Sequence, residues 1–296
     1  ACSLTLNVAN AGTETINTTT GQILNLNQVT IGTGVNFDTL QNSGSVAGDA
    51  IFLSDVDGGA LSGGAVTSAG TTGGGTRDAI EITGGSTSNM SFASATIDNA
   101  SGIGIRILDP AGTVTFTTVD IDGGAFGLFV GETGGFAPTG TVNINGGTFG
   151  ATATQSNSAL LINGGDTTVN IAANVTHSGA SGAGANVINR SGGNVTISGS
   201  VTTTGTSSGI SAGSNTAGTV DFQGNLNLSG ANAAISVAAN TAGTYTFSGA
   251  SKVVNRTGAT GAAGAARSWT RSRSRARSRR ARCASARRFR TASRVI

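Results

Sequence analysis

The chain has 296 residues, of which 48 are glycine, two are proline and 4% are aromatic, so small side chains would fill a conventional mixed core poorly. A hydrophobic share of 37% without a strict Gly-X-Y period excludes collagen and argues against simple disorder. The formal charge of +3 combines two unlike parts, because residues 1–266 hold five basic and fourteen acidic residues, a net −9. This acidic body gives no reason to expect specific nucleic-acid binding.

Two further features narrow the class of protein. The sequence contains no run of 18 apolar residues that would predict a transmembrane helix. Its two cysteines, Cys2 and Cys283, lie at opposite ends, and this spacing predicts neither a disulfide framework nor a zinc site.

Residues 1–60 have strand character without a clear period. Apolar and polar residues alternate at 24–26 and 29–31, and residues 51–53 are all apolar; all three segments have the character of short strands. If the chain forms a coil of stacked turns, here called rungs, residues 22–59 would need one rung that is longer than the others. We therefore predict about two irregular N-terminal rungs with a longer loop near residues 32–48.

A repeat of about 26 residues follows. Seven three-residue segments read apolar, polar, apolar, and their third positions are spaced by 24, 28, 27, 26, 25 and 25 residues. These third positions are Phe92, Phe116, Ile144, Ile171, Ile197, Phe222 and Phe247. Alternation with period two predicts strands with one buried and one solvated face.

Each repeat contains two more short strands. A second segment lies four to six residues later, as at 95–97 and 119–121, and a third lies another 7 to 11 residues on, as at 103–107 and 128–130. Three short strands per repeat predict an all-β fold, a single-stranded right-handed parallel β-helix (solenoid) of about 8–10 rungs over residues 1–256. The seven third positions should then form one buried column.

Several of these segments carry a resemblance to a known class. The sequences at residues 112–116 (GTVTF), 218–222 (GTVDF) and 98–105 (DNASGIGI) resemble bacterial surface β-helix proteins, namely autotransporter passengers and related adhesin-like repeat proteins. The resemblance covers residues 20–256. It implies a secreted or displayed protein at the bacterial cell surface or outside the cell, a stalk, adhesin or scaffold whose partners are host or environmental glycans or surface proteins.

The sequence lacks one feature of the autotransporter class. An outer-membrane translocator barrel would need a C-terminal segment of alternating strands with aromatic girdles, and the sequence has none. We therefore expect that a C-terminal translocator is missing from this chain.

Residues 257–296 form a second segment that breaks the period. Twelve arginines and no acidic residue occur in residues 267–296. One interpretation is a disordered basic arm that neutralises phosphates. The other is a frameshift near residue 260, because a GC-rich stretch that encodes glycine in one frame encodes alanine or arginine in the other two.

Two carboxylate pairs are the candidates for chemistry. Asp98 and Asp122 occupy equivalent positions of successive repeats, as do Asp109 and Glu132. Adjacent rungs would bring each pair to about 5 Å, a separation compatible with a Ca²⁺ site or with the carboxylates of a retaining glycosidase. Solvated carboxylates are common at strand exits, so we predict no catalytic residue, no metal site and no cofactor.

Four other residues have structural interpretations. Glu81, Arg106 and Phe129 occupy matching outward positions on successive third strands, which predicts a surface ion pair and a cation–π contact. His177 is the only histidine, with no acidic residue near it in sequence, so we predict a polar strand-end residue and not a member of a catalytic triad.

Two functions remain open. The first is a non-enzymatic, secreted or surface-displayed structural or adhesin-like repeat protein, a passenger or stalk fragment. The alternative is a polysaccharide lyase or hydrolase of the pectate-lyase-like β-helix type, using the two carboxylate pairs with Arg106. The absence of Trp before the arginine-rich segment, with only one Tyr, favours the first. An ice-binding threonine face is disfavoured because the outward rows mix Thr, Ser, Asn and Asp.

Overall fold

The computed structural model describes residues 4–71, 77–131, 139–230 and 233–255. These residues form strands and turns without a helix. The strands are β1 (Leu4–Val8), β2 (Thr15–Thr18), β3 (Leu24–Asn36), β4 (Thr39–Asn42), β5 (Ile51–Gly58), β6 (Leu61–Ser68), β7 (Ile80–Thr83), β8 (Met90–Asp98), β9 (Ile103–Leu108), β10 (Thr113–Asp122), β11 (Phe126–Gly131), β12 (Thr141–Ile144), β13 (Gly147–Phe149), β14 (Leu160–Asn163), β15 (Thr168–Ile171), β16 (Asn174–His177), β17 (Ala183–Ile188), β18 (Asn194–Ile197), β19 (Val201–Thr203), β20 (Ser208–Gly213), β21 (Thr219–Phe222), β22 (Leu226–Ser229), β23 (Ile235–Ala238), β24 (Thr244–Phe247) and β25 (Lys252–Asn255).

The described strands form a parallel β-solenoid of about nine turns, which confirms the predicted fold class. Each strand pairs in parallel with the equivalent strand one rung away, giving three sheets along the coil. The first sheet contains β7, β9, β11, β14, β17, β20 and β23, and begins with the N-terminal parts of β3 and β5. The C-terminal part of the second sheet consists of β12, β15, β18, β21 and β24. The C-terminal part of the third sheet consists of β13, β16, β19, β22 and β25. In β6, β8 and β10 one continuous strand serves both the second and third sheets.

The predicted buried column is confirmed. Its seven members are register partners from Phe92 to Phe247, and the first six are at most 1% exposed. At one end the rings of Phe92 and Phe116 stack with centroids 4.7 Å apart. At the other, Phe222 and Phe247 stack at 5.3 Å. Each buried side chain therefore packs mainly on its equivalents in the adjacent rungs.

The predicted loop near residues 32–48 is wrong for residues 32–42, whereas residues 43–48 lie between strands as predicted. Residues 32–36 belong to β3 and residues 39–42 form β4, with Val35 and Leu40 fully buried. The pairing of β1 with β3 jumps from Leu6–Ile31 to Val8–Val35, so that three residues of β3 bulge against one residue of β1. This bulge interrupts the alternation that would otherwise have indicated a strand.

Two compact units are distinguished, Ala1–Ala263 and Gly264–Ile296. The second unit lies wholly outside the described residues, as does the rest of the predicted segment 257–296. Its disorder or frameshift origin, and the predicted boundary at residue 256, stay predictions.

One corner of the solenoid repeats an unusual backbone conformation. The residue after a first-sheet segment has a φ between 50° and 80° in eight rungs; these residues are Gln28, Asp55, Gly84, Asp109, Gly164, Asn189, Ser214 and Ala239. Only two of the eight are glycine, although the left-handed region costs other residues about 1–2 kcal/mol. This corner therefore holds local strain that rung stacking offsets.

We expect Ala239→Gly to raise the free energy of unfolding by about 0.5–1 kcal/mol, because removing Cβ relieves more strain at φ 55° than the added chain entropy costs. Urea denaturation would measure the change. Ala238→Gly is the matched control, since Ala238 ends a strand and its replacement should destabilise the protein. Equal destabilisation by both variants would contradict a strained corner.

Candidate functional site

The third strand of each predicted repeat belongs to the first sheet. The outward row predicted there, Glu81, Arg106 and Phe129, is confirmed. Arg106 is the register partner of Glu81 on one side and Phe129 on the other. Its Nη1 lies 3.8 Å from Glu81 Oε1, and its guanidinium carbon lies 5.8 Å from the Phe129 ring centroid.

The structure adds two carboxylates that the sequence analysis did not find. Arg106 Nη1 lies 3.4 Å from Asp78 Oδ2, and the Asp78 side chain is 1% exposed. Asp49, Asp78 and Glu81 each place a carboxylate oxygen within 4.8 Å of the others. We call these three residues with Arg106 the acidic corner. A repeated Asp-Ala-Ile motif, at residues 49–51 and 78–80, is the signal that could have indicated it.

Backbone capping explains why the aspartates lie here. Asp49 Oδ1 accepts a hydrogen bond of 2.9 Å from the Asp78 amide, and Asp78 Oδ1 accepts one of 2.8 Å from the Ile103 amide. Each aspartate thus binds a donor at the start of the next first-sheet strand. The following rung has Gly102 at this corner, where a Cβ would lie 2.7 Å from Asp78 Oδ1.

Burial shifts the pKa of two carboxyl groups in the acidic corner. It raises the pKa of Asp78, with a further increase from Asp49, while the Ile103 amide and Arg106 oppose the shift. Burial also raises the pKa of Glu81, and Arg106 is again the opposing charge. Three carboxylates are a donor set that suits a hard cation such as Ca²⁺. In this structure both Asp78 oxygens already accept hydrogen bonds, so the arrangement functions as an internal ion network.

We expect Arg106→Met to lower the free energy of unfolding by about 1–2 kcal/mol at pH 7, because it leaves clustered carboxylates without their cation. Raised carboxyl pKa values in the folded state mean that stability is lost as pH rises from the ordinary carboxyl range through the raised values. The difference between variant and wild type should therefore shrink on acidification. Urea titrations at several pH values would measure it, and Glu81→Gln in the variant background should restore part of the loss.

The first predicted carboxylate pair lies on adjacent rungs, but its members differ. Asp98 and Asp122 are register partners, with Asp98 exposed and Asp122 buried. Asp122 accepts hydrogen bonds from the amides of Thr152 and Ala153 at 3.0 and 3.1 Å and from the Thr152 hydroxyl. Burial alone would raise the pKa of Asp122, and these bonds outweigh it and lower that pKa. The carboxylate thus anchors the loop after β13.

The second predicted pair is only half within the described residues. Asp109 is buried at the left-handed corner, with a φ of 51°. Glu132 lies outside the described residues. Arg106, which the enzymatic alternative combines with these acids, pairs with Asp78 and Glu81.

His177 ends β16, as predicted, and is fully buried. Its Nε2 lies 3.0 Å from the Ser181 carbonyl and its Nδ1 lies 3.1 Å from the Thr154 hydroxyl. Burial lowers the pKa of His177, although the bond to Ser181 opposes the shift. We assign the neutral tautomer in which Nε2 donates to Ser181 and Nδ1 accepts from Thr154. Both nitrogens are then engaged in joining two loops.

Polar side chains on the outside bond from rung to rung. Asn170 Nδ2 donates to Asn143 Oδ1 at 2.9 Å on the second sheet, and the Thr148 hydroxyl donates to Asp120 Oδ1 at 2.8 Å on the third. Near the C-terminal end the Ser248 hydroxyl donates to Asp221 Oδ1 at 2.9 Å. The outer rows therefore reinforce the stacking that the buried column establishes.

The fold defines the chain as a parallel β-solenoid repeat protein. No protein-family model, no curated protein and no solved structure matches it. Among the described residues no helix is long and apolar enough to cross a membrane.

Proposed function

We propose that the chain is a non-enzymatic, secreted or surface-displayed structural rod, an adhesin-like passenger or stalk fragment. The observation that carries this proposal is that the side chains capable of acid–base chemistry are engaged in hydrogen bonds that hold the coil together. Asp78 and Asp122 bind backbone amides of neighbouring rungs, and His177 joins two loops. Groups committed to rung-to-rung bonds are poorly placed for proton transfer, because that chemistry would release the bonds that hold the coil.

The side chains on the outer faces are suited to binding a partner through neutral hydrogen-bonding groups. The outward row of the second sheet presents hydroxyl and amide groups at successive rungs; its members from β10 to β18 are Thr115, Asn143, Asn170 and Thr196. Rungs of parallel strands repeat about every 4.8 Å. We propose host or environmental glycans, or surface proteins, as the partners of these rows.

One observation favours the enzymatic alternative. The acidic corner combines carboxyl groups of raised pKa with an arginine, which a polysaccharide lyase or hydrolase could use. The two proposals differ in whether acidic polysaccharide is consumed.

We expect the purified chain to bind glycan-coated or protein-coated beads and to leave acidic polysaccharides intact, with and without Ca²⁺. Product formation, followed by ultraviolet absorbance for lyases and by reducing ends for hydrolases, measures the second part. Turnover that is lost in Asp122→Asn or in Asp78→Asn, with the fold retained, would overturn the non-enzymatic proposal. Absence of both turnover and bead binding would overturn the adhesive role.

A further inference from the structure

We propose that Asn145 is a self-modification site, at which the folded chain converts an asparagine into aspartate and isoaspartate through a cyclic imide. The reaction consumes water and releases ammonia, so it requires no enzyme, cofactor or partner. The inference goes beyond the proposed function and holds whether or not the chain binds glycans.

The sequence contains a reactive dipeptide twice. Asparagine precedes glycine at Asn145–Gly146 and at Asn163–Gly164, and both pairs lie in the same tetrapeptide, Ile-Asn-Gly-Gly, at residues 144–147 and 162–165. Glycine favours ring closure because it has no Cβ to obstruct the approach of its amide nitrogen to the preceding side chain. Since the local sequences are identical, a difference in rate between the two sites must come from the fold.

The chemistry balances with water as the only other reactant. The Gly146 amide nitrogen attacks the side-chain carbonyl carbon of Asn145, so that a C–N bond forms while the bond from that carbon to Nδ2 breaks. Ammonia leaves with the proton of the Gly146 amide, and a cyclic imide remains. Water then opens the imide at either carbonyl, which gives aspartate or isoaspartate. Closure is favoured because both reacting groups belong to neighbouring residues of one chain.

The Asn145 side chain is accessible to this reaction. It lies at the corner between β12 and β13 and is exposed. Among the described residues nothing forms a hydrogen bond with its side-chain amide, although its backbone amide donates to the Phe116 carbonyl at 2.9 Å. The electrophilic carbon can therefore turn towards Gly146 without breaking a side-chain contact, and it meets water when the imide opens.

The Gly146 amide is free to act as the nucleophile. At three later corners of the same kind a glycine amide donates to a carbonyl of the preceding rung at 3.2 or 3.3 Å; these glycines are Gly199, Gly224 and Gly249. Within the described part of the chain the Gly146 amide makes no such bond. Its nitrogen can thus move towards the Asn145 side chain without the loss of a rung-to-rung hydrogen bond.

The second site is restrained at both reacting groups. Asn163 Oδ1 accepts a hydrogen bond of 2.8 Å from Asn189 Nδ2, and the Gly164 amide donates to the Ile188 carbonyl at 2.9 Å. Both bonds join this corner to the next rung. Because ring closure at Asn163 must first break them, we expect it to be at least about tenfold slower than at Asn145.

The product alters the corner in which it forms. Isoaspartate adds a carbon to the main chain between the Asn145 amide, which donates to Phe116, and the Gly146 carbonyl, which accepts from the Val119 amide at 3.0 Å. Both bonds connect this rung to the preceding one, so the longer main chain cannot keep the spacing of both. Modification should therefore weaken the pairing of β13 with β10 as the protein ages.

The test compares the two sites within the same molecule. The full chain is incubated in a mildly alkaline buffer, once folded and once in urea that unfolds it. Peptide mass spectrometry measures the loss of asparagine at residues 145 and 163. Labelling by an isoaspartate-specific methyltransferase identifies the product.

We expect Asn145 to be converted in the folded chain while Asn163 stays largely intact, and both to be converted at similar rates in urea. An Asn145 that stays intact in the folded chain, over the time in which the unfolded chain is half converted, overturns the proposal. Equal rates at the two sites of the folded chain overturn it too, because the contacts of Asn163 would then give no protection.

A variant tests the nucleophile. Gly146→Ala should slow conversion of Asn145 severalfold, because a Cβ obstructs the approach of the amide. The fold should tolerate this change, since the atom nearest to the added Cβ is the Thr117 carbonyl oxygen at 3.6 Å. Gly48→Ala is the matched control, because a Cβ there has no atom within 4 Å and the change should leave conversion unaffected. Unchanged conversion in Gly146→Ala would contradict the imide route.

Discussion

Phe116→Ala is expected to lower the free energy of unfolding by about 3–5 kcal/mol, the range observed when a fully buried phenylalanine is truncated. Phe116 has no exposed surface and stacks on Phe92 with an interplanar angle of 12°. On its other side it is the register partner of Ile144. Truncation therefore removes contacts to two rungs at once and leaves a cavity that the parallel sheets cannot close.

Urea denaturation and amide hydrogen exchange would measure this loss. Because contacts in a solenoid are mainly between neighbours, exchange should increase most in β8, β10 and β12 and least near β21. Thr117→Ala is the matched control, since Thr117 is exposed one position away and its truncation should change stability by less than about 0.5 kcal/mol. Equal losses for the two variants would contradict the buried column as the main source of stability.

Arg190→Met is expected to lower the free energy of unfolding by about 3 kcal/mol, because it leaves buried carbonyl oxygens without donors. Arg190 is 2% exposed, and its guanidinium donates to the carbonyls of Gly164, Thr167 and Gly192. Its own backbone amide donates to Asn215 Oδ1 at 2.8 Å. One side chain thus joins its own corner to the preceding rung, and its backbone joins the next.

Two further variants isolate this effect. Arg190→Lys should lose an intermediate amount, because one ammonium group cannot reach the carbonyls that the planar guanidinium serves together. Arg77→Met removes an exposed arginine and should change stability little. Limited proteolysis gives an independent readout, with faster cleavage near residues 164–193 in Arg190→Met. A stability unchanged from wild type would show that the corner does not depend on the guanidinium.

The two ends and the middle of the coil should behave differently in these experiments. Phe116 and Arg190 lie in rungs with a neighbour on each side, so their loss disrupts two interfaces. Ala239 lies in the last described rung, whose side chains are largely exposed.

The sequence-based prediction succeeded where one residue type recurred at a constant interval. Phe92, Phe116 and Phe222 were placed in one column because parallel stacking brings equivalent positions into contact. It failed at residues 32–42, because the bulge in β3 interrupts the alternation, and the bulge depends on pairing with β1 that the sequence of β3 alone does not show. The outward row of Glu81, Arg106 and Phe129 was predictable for the same reason as the column.

The contacts of Asp49 and Asp78 could not be predicted from the repeat interval. These residues lie at corners, outside the alternating segments, and their separation of 29 residues departs from the mean period. Only the folded chain brings them to the amides of the next rung and to Arg106, so that burial raises the pKa of Asp78. Asp122 likewise meets its partner Thr152 across 30 residues, through a loop whose path depends on the rungs below it.

By itself the amino-acid sequence determined the class of fold, the axis of repetition and the identity of the buried column, because these follow from periodicity alone. The tertiary structure alone decided which polar groups are engaged and which carboxylates share a corner. Those properties depend on contacts between adjacent rungs, and such contacts exist only once the coil has closed each turn upon the last.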